Sequence, residues 1–251
     1  MTKAILYVFH GSRLKEAKEE AFTFFRHCQK LTQVPIQHAS FLELSEPTIE
    51  QGVEECVNEG ATEIGVIPIL LFRAGHAKYD IPSILTKLKE KYPETSFSYG
   101  EPLGVHQWMI DIVVEKVRSV TTAQKLSEIS PQIVLIGRGS KDREMQQDFN
   151  TLCQSVENEL GMNTTGCYLT AAKPSFHEIL STIKGKEANQ LYIFVPYLIF
   201  TGLLYKQIER DLKSELSNRI QWQLTDYIGQ HPNIHRLVSI RAQEASNVNI
   251  T

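Results

Sequence analysis

Two imidazoles and one carboxylate are the residues in this chain whose types suggest chemistry. His10 follows the apolar run Ala4–Phe9, Glu43 follows a second run at Ile36–Leu42, and His76 follows a third at Ile64–Phe72. Short continuous apolar runs of this length read as strands buried on both faces, as in parallel sheets. Each of the three residues is therefore expected at, or just past, the C-terminal end of a parallel strand, the edge where open α/β sheets gather ligands. Neutral imidazole is a good ligand for Fe²⁺, Co²⁺, Ni²⁺ or Zn²⁺, and a carboxylate completes a partial shell that keeps open positions. The same groups accept protons near neutral pH. Singly, each has a plainer reading: a histidine after a strand is commonly a hydrogen-bonded loop residue, and Glu43 a solvated carboxylate. The spacing of 33 residues between successive members is no metal motif in itself, so any convergence must come from the fold.

The elements that would position them alternate regularly. Leu14–Leu31 carries Ala17, Ala21, Phe24, Phe25 and Cys28 at helical spacing, and Pro35 lies just beyond it. Ser12 is placed to cap this helix, whose N-terminal N–H groups favour anions. Thr48–Glu59 reads as a helix stopped by Gly60. Arg73–Tyr79 reads as a loop, and Pro82 as the first turn of a helix to about Lys91. A weak strand at Phe97–Gly100 and a helix at Gln107–Val117 follow. Strands separated by helices imply right-handed crossovers and a sheet covered on both faces.

The same order then recurs. Arg138-Gly139-Ser140-Lys141 echoes His10-Gly11-Ser12-Arg13, and Tyr168–Pro174 echoes Phe41–Pro47. Ile193–Phe200 echoes Gly65–Phe72, all at an offset of 127 or 128. Three echoes in one order at one offset imply a duplicated domain: residues 1–120 as an N-terminal α/β domain carrying the site, and 131–251 as a degenerate repeat closing a cleft. Polar Ser119–Ser130 is the candidate linker. The expected fold class is α/β, two similar domains of flavodoxin-like or periplasmic-binding-like character, each a parallel sheet flanked by helices. Framework residues recur between the halves, whereas His10 becomes Arg138, Glu43 becomes Thr170, and His76 falls opposite Leu204. All three ionisable groups are lost together, which argues for one site, built on the first half.

Composition removes other classes. The 251 residues include 26 Lys and Arg against 29 Asp and Glu, a net charge of −3 that offers no field for nucleic acid or anionic membrane. No apolar run approaches the roughly 18–20 residues of a membrane span, and the start lacks the features of a signal peptide. The four cysteines form no C-x-x-C pair and suit reduced, buried thiols in the cytoplasm. There is no G-x-x-x-x-G-K-[ST] loop to indicate nucleotide-driven chemistry. After Gly137-x-Gly139 the third glycine of a dinucleotide fingerprint is Asp142, and no G-x-S-x-G elbow supports Ser12 as a nucleophile.

Three segments in order, His10-Gly11-Ser12-Arg13, Phe41–Ile49 and Gly75–Pro82, resemble the class II tetrapyrrole chelatases, and among them those that insert Fe²⁺ into sirohydrochlorin to give siroheme. The resemblance spans nearly the whole chain. It implies that His10 and His76 hold the incoming metal and help take up pyrrole protons, with Glu43 as carboxylate base or ligand. It implies an ATP-independent reaction with no cofactor beyond the divalent metal substrate, Fe²⁺ or else Co²⁺ or Ni²⁺. A carboxylate-rich macrocycle needs donors on the cleft walls, and Ser12, Arg13, Arg73, Lys78 and Arg138 are the candidates. The partners implied are the tetrapyrrole and the metal ion alone. Cobalt-inserting relatives can carry histidine-rich tracts or a cysteine-bound cluster near the C-terminus, and Arg241–Thr251 has neither. Two alternatives stand beside this one: a cobaltochelatase of cobalamin synthesis, and a non-catalytic two-lobed carrier of tetrapyrrole or metal.

Overall fold

The central strand of the first half, β1 (Lys3–Phe9), is buried along nearly its whole length, because helices cover both faces of its sheet. In the computed structural model, which describes residues 1–123, 131–186, 190–216 and 220–246, this half contains four strands and their crossover helices. After β1 come α1 (Lys15–Leu31), β2 (Ile36–Phe41), α2 (Ile49–Asn58), β3 (Glu63–Ile69), α3 (Ile81–Lys91) and β4 (Ser96–Tyr99). All pairings are parallel and the strand order is β2-β1-β3-β4. The second half repeats the plan with β5 (Gln132–Gly137), α5 (Arg143–Leu160), β6 (Thr164–Tyr168), α6 (Phe176–Lys184), β7 (Leu191–Pro196), α7 (Leu203–Glu215) and β8 (Gln221–Leu224), in the order β6-β5-β7-β8. The α/β class and the two similar parallel sheets read from the sequence are what the chain adopts.

Two helices remain, α4 (Gln107–Ala123) and α8 (Pro232–Ala245). The chain divides into two compact units, one of Met1–Gly104 with α8, the other within Val105–His231. The sequence repeat runs 1–120 and 131–251, so the units trade the last helix of each repeat. In the first unit α8 packs on α1 and β3, burying Ile234, Leu237, Val238 and Ala242. A buried polar relay secures it: Tyr7 Oη lies 3.0 Å from Thr32 Oγ1, which donates to Ser239 Oγ at 3.2 Å, and Ser239 donates to the Leu31 carbonyl at 3.0 Å. In the second unit α4 packs on α5 and β7. It continues through Ala123, so the first residues of the expected linker are helical, and its remainder, 124–130, lies outside the described residues.

The segment after each second strand is closed by the same device. Thr48 caps α2 and Ser175 caps α6, each through a capping box with Gln51 and Glu178. A side chain and a backbone N–H satisfy each other reciprocally there, so the loop ends and the helix starts at one defined residue. The four cysteines are buried free thiols, as expected. No helix among the described residues is long and apolar enough to cross a membrane.

Candidate metal site

The β1–β2 ladder does not stop with the strands. Phe9 pairs with Phe41, and beyond them Leu42 N–H donates to Phe9 O at 2.8 Å and Glu43 N–H to His10 O at 3.1 Å. His10 and Glu43 are therefore register neighbours, although 33 residues separate them. Gly11 makes this approach feasible. Its φ is +98°, and a Cβ there would sit 1.7 Å from the Glu43 carbonyl oxygen. Only glycine combines that backbone angle with that proximity. The second half keeps the same frame: Thr170 N–H donates to Arg138 O at 2.9 Å, and a Cβ on Gly139 (φ +94°) would meet Thr170 O at 1.9 Å.

The third member arrives from the neighbouring strand. β3 lies on the other side of β1, and the chain leaves it through 70–75 into one π-helical turn, His76–Asp80, that runs directly into α3. Arg73–Tyr79 reads as a loop from its residues, but from His76 the chain instead winds wide and then tightens, with Ile81 N–H bonded to His76 O. Single π turns of this kind commonly occur at functional sites. Tyr99 of β4 ties the turn down by donating to the Ala77 carbonyl at 3.1 Å.

The result is a compact triad. The His10 and His76 rings meet edge to face with centroids 4.8 Å apart, and His10 Nε2 lies 3.5 Å from Glu43 Oε1. One ligand atom from each of His10, Glu43 and His76 falls within 4.8 Å of the others, the one such cluster among the described residues. Ligands at about 2.1 Å from a common ion are separated by roughly 3–4.2 Å, so a separation of 4.8 Å must close by about 0.6 Å for a trans pair and by more for adjacent ligands. The side chains are partly open to solvent, at 22%, 45% and 38% exposure, which leaves an approach for an incoming ion.

Each imidazole is oriented through its other nitrogen. His76 Nδ1 lies 2.7 Å from Asp80 Oδ2, and His10 Nδ1 lies 3.3 Å from the Gly11 carbonyl. Both partners are acceptors, so Nδ1 carries the proton and Nε2 presents its lone pair, the arrangement that histidine ligands of metals adopt. Two imidazoles and one carboxylate with open positions form a donor set suited to Fe²⁺ and similar ions. The equivalent positions of the second half offer none of this: Arg138 and Leu204 are not ligands, and the Thr170 hydroxyl is spent donating to Arg138 O at 3.0 Å.

The polar residues expected around the triad have varied placements. Ser12 does not cap α1. Leu14 is the N-cap, and the Ser12 hydroxyl accepts from Leu14 N–H at 3.1 Å, while Ser45 bonds both the Ser12 N–H and its carbonyl. Ser12 thus locks the His10 loop to the Glu43 loop. Arg13 is exposed, and Lys78 is half-buried on the π turn. Arg73 pairs with Glu101 at 3.3 Å across the loops that follow β3 and β4. Arg138 is exposed after β5 in the second unit. Asp80 carries no signal in the sequence. A histidine and a carboxylate four apart share a face only if the stretch is helical, and Arg73–Tyr79 reads as a loop.

A duplicated parallel α/β scaffold carrying, among the described residues, one two-histidine, one-carboxylate cluster at the C-terminal edge of a sheet defines the class: a two-repeat α/β protein with a partly exposed donor set that could hold a divalent metal. The chain belongs to the CbiX family, whose model matches residues 4–120 and again 132–245, once per repeat. It is similar to the sirohydrochlorin ferrochelatase of Priestia megaterium, at 40% identity over 94% of this chain and 88% of that protein. Similarity to the sirohydrochlorin cobaltochelatase of the same organism is lower, 29% over 96% of this chain and 79% of that one. Among solved structures, SirB from Bacillus subtilis with Fe³⁺ superposes with a TM-score of 0.88 at 37% identity, covering 98% of this chain and 96% of that one.

Proposed function

We infer that this chain inserts Fe²⁺ into sirohydrochlorin to give siroheme. One observation carries the reading: His10, Glu43 and His76, remote in sequence and absent from the second repeat, meet within ligand distance in a chain 40% identical to a sirohydrochlorin ferrochelatase. The reaction exchanges two pyrrole protons for one divalent ion, so charge balances without ATP, and two protons leave for each metal inserted.

In this mechanism the two Nε2 atoms and the Glu43 carboxylate take the ion from water as a partial shell. The open positions let the macrocycle nitrogens replace water one at a time. As the ion passes to the ring, its protein ligands are freed, and a freed imidazole or carboxylate accepts a pyrrole proton. Asp80 and the Gly11 carbonyl keep Nδ1 protonated, so the lone pairs stay aimed at the ion. Arg13 and Lys78 are suited to the peripheral carboxylates, and the loop-locking Ser12 and the ion-paired Arg73 to holding the site's walls. The donor set also accepts Co²⁺, and the greater similarity to the iron enzyme favours Fe²⁺ as the substrate metal. Four buried, unoxidised thiols suit a cytoplasmic setting.

The test mixes the purified chain, sirohydrochlorin and Fe²⁺, or Co²⁺ in a parallel series, without oxygen or ATP, and follows the absorption change on metallation. Insertion should be faster than the uncatalysed rate. His10→Ala and His76→Ala should each lose about 100-fold or more, with unfolding midpoints near wild type because both rings are partly exposed. A variant of either histidine that stays fully active would remove that residue from the mechanism. A stoichiometric tetrapyrrole complex that never acquires metal would replace the enzyme by a carrier.

A further inference from the structure

Leu44, the residue after Glu43, combines two unfavourable features. Its φ is 61°, in the left-handed region, and 50% of it is exposed. An L-residue with a bulky side chain is disfavoured in that conformation, and a half-exposed leucine forgoes much of what full burial contributes. The repeat separates the two. The equivalent residue, Ala171, has φ 55°, so the loop requires a left-handed residue in both halves, but a bare methyl suffices for the fold. The isobutyl group of Leu44 is therefore surplus to the scaffold, and it occurs only in the half that carries the triad. A second large apolar side chain, Tyr79, is 69% exposed on the turn that bears His76 and Asp80. Two of the three segments that supply the triad thus also expose apolar surface.

A substrate with a charged rim and an apolar face matches this pattern. A tetrapyrrole can take an ion from the triad only by presenting the face of its ring to it, and that conjugated face prefers hydrocarbon to water. We propose that Leu44 is a substrate-contacting, specificity-determining residue that packs against the macrocycle face beside the metal. The proposal rests on the reading of the chain as a sirohydrochlorin metallating enzyme. It assigns discrimination between a flat tetrapyrrole and a small carboxylate chelator to this side chain, not to the surrounding cations.

Leu44→Ala in the full chain is the direct test, because Ala171 shows that the same loop folds with alanine. Three readouts are needed: sirohydrochlorin affinity by fluorescence quenching without metal, Co²⁺ affinity without tetrapyrrole, and the unfolding midpoint. Losing about two methylene equivalents of contact should weaken tetrapyrrole binding about tenfold. Co²⁺ affinity and the midpoint should stay at wild-type values, and Leu44→Met should restore tetrapyrrole binding. Leu44→Gly, which suits a positive φ better, gives the same test if the alanine variant folds poorly. Wild-type tetrapyrrole affinity in the alanine or glycine variant would overturn the role of Leu44 while leaving the reaction intact. A wild-type chain that binds no sirohydrochlorin would overturn both.

Discussion

Asp80 offers the sharpest test of how the site is held. Its carboxylate accepts the His76 Nδ1 proton at 2.7 Å, with side-chain exposures of 38% for His76 and 55% for Asp80. A hydrogen bond to a charged group contributes about 1.5–3 kcal/mol when well shielded, and solvent at this exposure reduces that to about 1–1.5 kcal/mol. That energy acts on the tautomer and angle of the His76 ring, the proposed ligand, more than on the fold. In Asp80→Ala it should therefore appear as about tenfold weaker metal binding, the lower end of what removing a ligand's hydrogen-bond partner does. Asp80→Asn keeps an acceptor oxygen but no charge, so it should fall between wild type and alanine. The assay is a Co²⁺ titration followed by the ion's visible absorption, with no tetrapyrrole present, beside a denaturant unfolding curve. The midpoint should move by less than about 0.5 kcal/mol, as expected at an exposed position. Wild-type Co²⁺ affinity in Asp80→Ala would refute the reasoning, as would an affinity loss fully explained by lower stability.

Other expectations follow from the same geometry. Gly11→Ala and Gly139→Ala should each destabilise the protein by about 3 kcal/mol or more, because a new Cβ falls within 1.9 Å of a carbonyl oxygen at a positive φ; a denaturant midpoint equal to wild type for either would contradict the close approach. Arg13→Ala and Lys78→Ala should raise KM for sirohydrochlorin several-fold while leaving Co²⁺ affinity intact, and an unchanged KM removes the residue from the substrate's rim. Burial pushes the Cys56 and Cys153 thiols up to about 12, whereas in the unfolded chain they ionise near 8.5. Their stabilisation is therefore complete below about pH 8.5 and is lost as pH rises toward 12, by about 1.4 kcal/mol per pH unit per thiol. Unfolding curves from pH 7 to 11 should show this decline, and Cys56→Ala should make it shallower; parallel slopes would refute the assignment.

The alternation of strands and helices was readable because each signal is local. Apolar runs bounded by Gly and Pro specify buried strands, and the repeat at 127–128 supplied an internal comparison that isolated His10, Glu43 and His76. Local pattern and structure part where neighbours in space decide the outcome. Ser12 resembles a cap, yet its hydroxyl and backbone are engaged by Leu14 and Ser45. Ser119–Ala123 is polar enough to read as a linker, yet it completes a helix that packs in the second unit. The stretch from His76 to Asp80 carries no strong helical pattern, and a π turn has no periodic signature of its own.

The sequence by itself determined which groups were available and on which strand ends they had to stand, since composition and the period of apolar residues are properties of the chain alone. Tertiary structure decided that they meet. Parallel pairing of β2 with β1 and of β1 with β3 sets three strand ends side by side, and the left-handed Gly11 lets the Glu43 loop close onto His10. It also decided that Asp80 orients His76 and that Leu44 is left half exposed. These depend on distances between residues far apart or on a backbone angle, and no local pattern of side chains encodes either one.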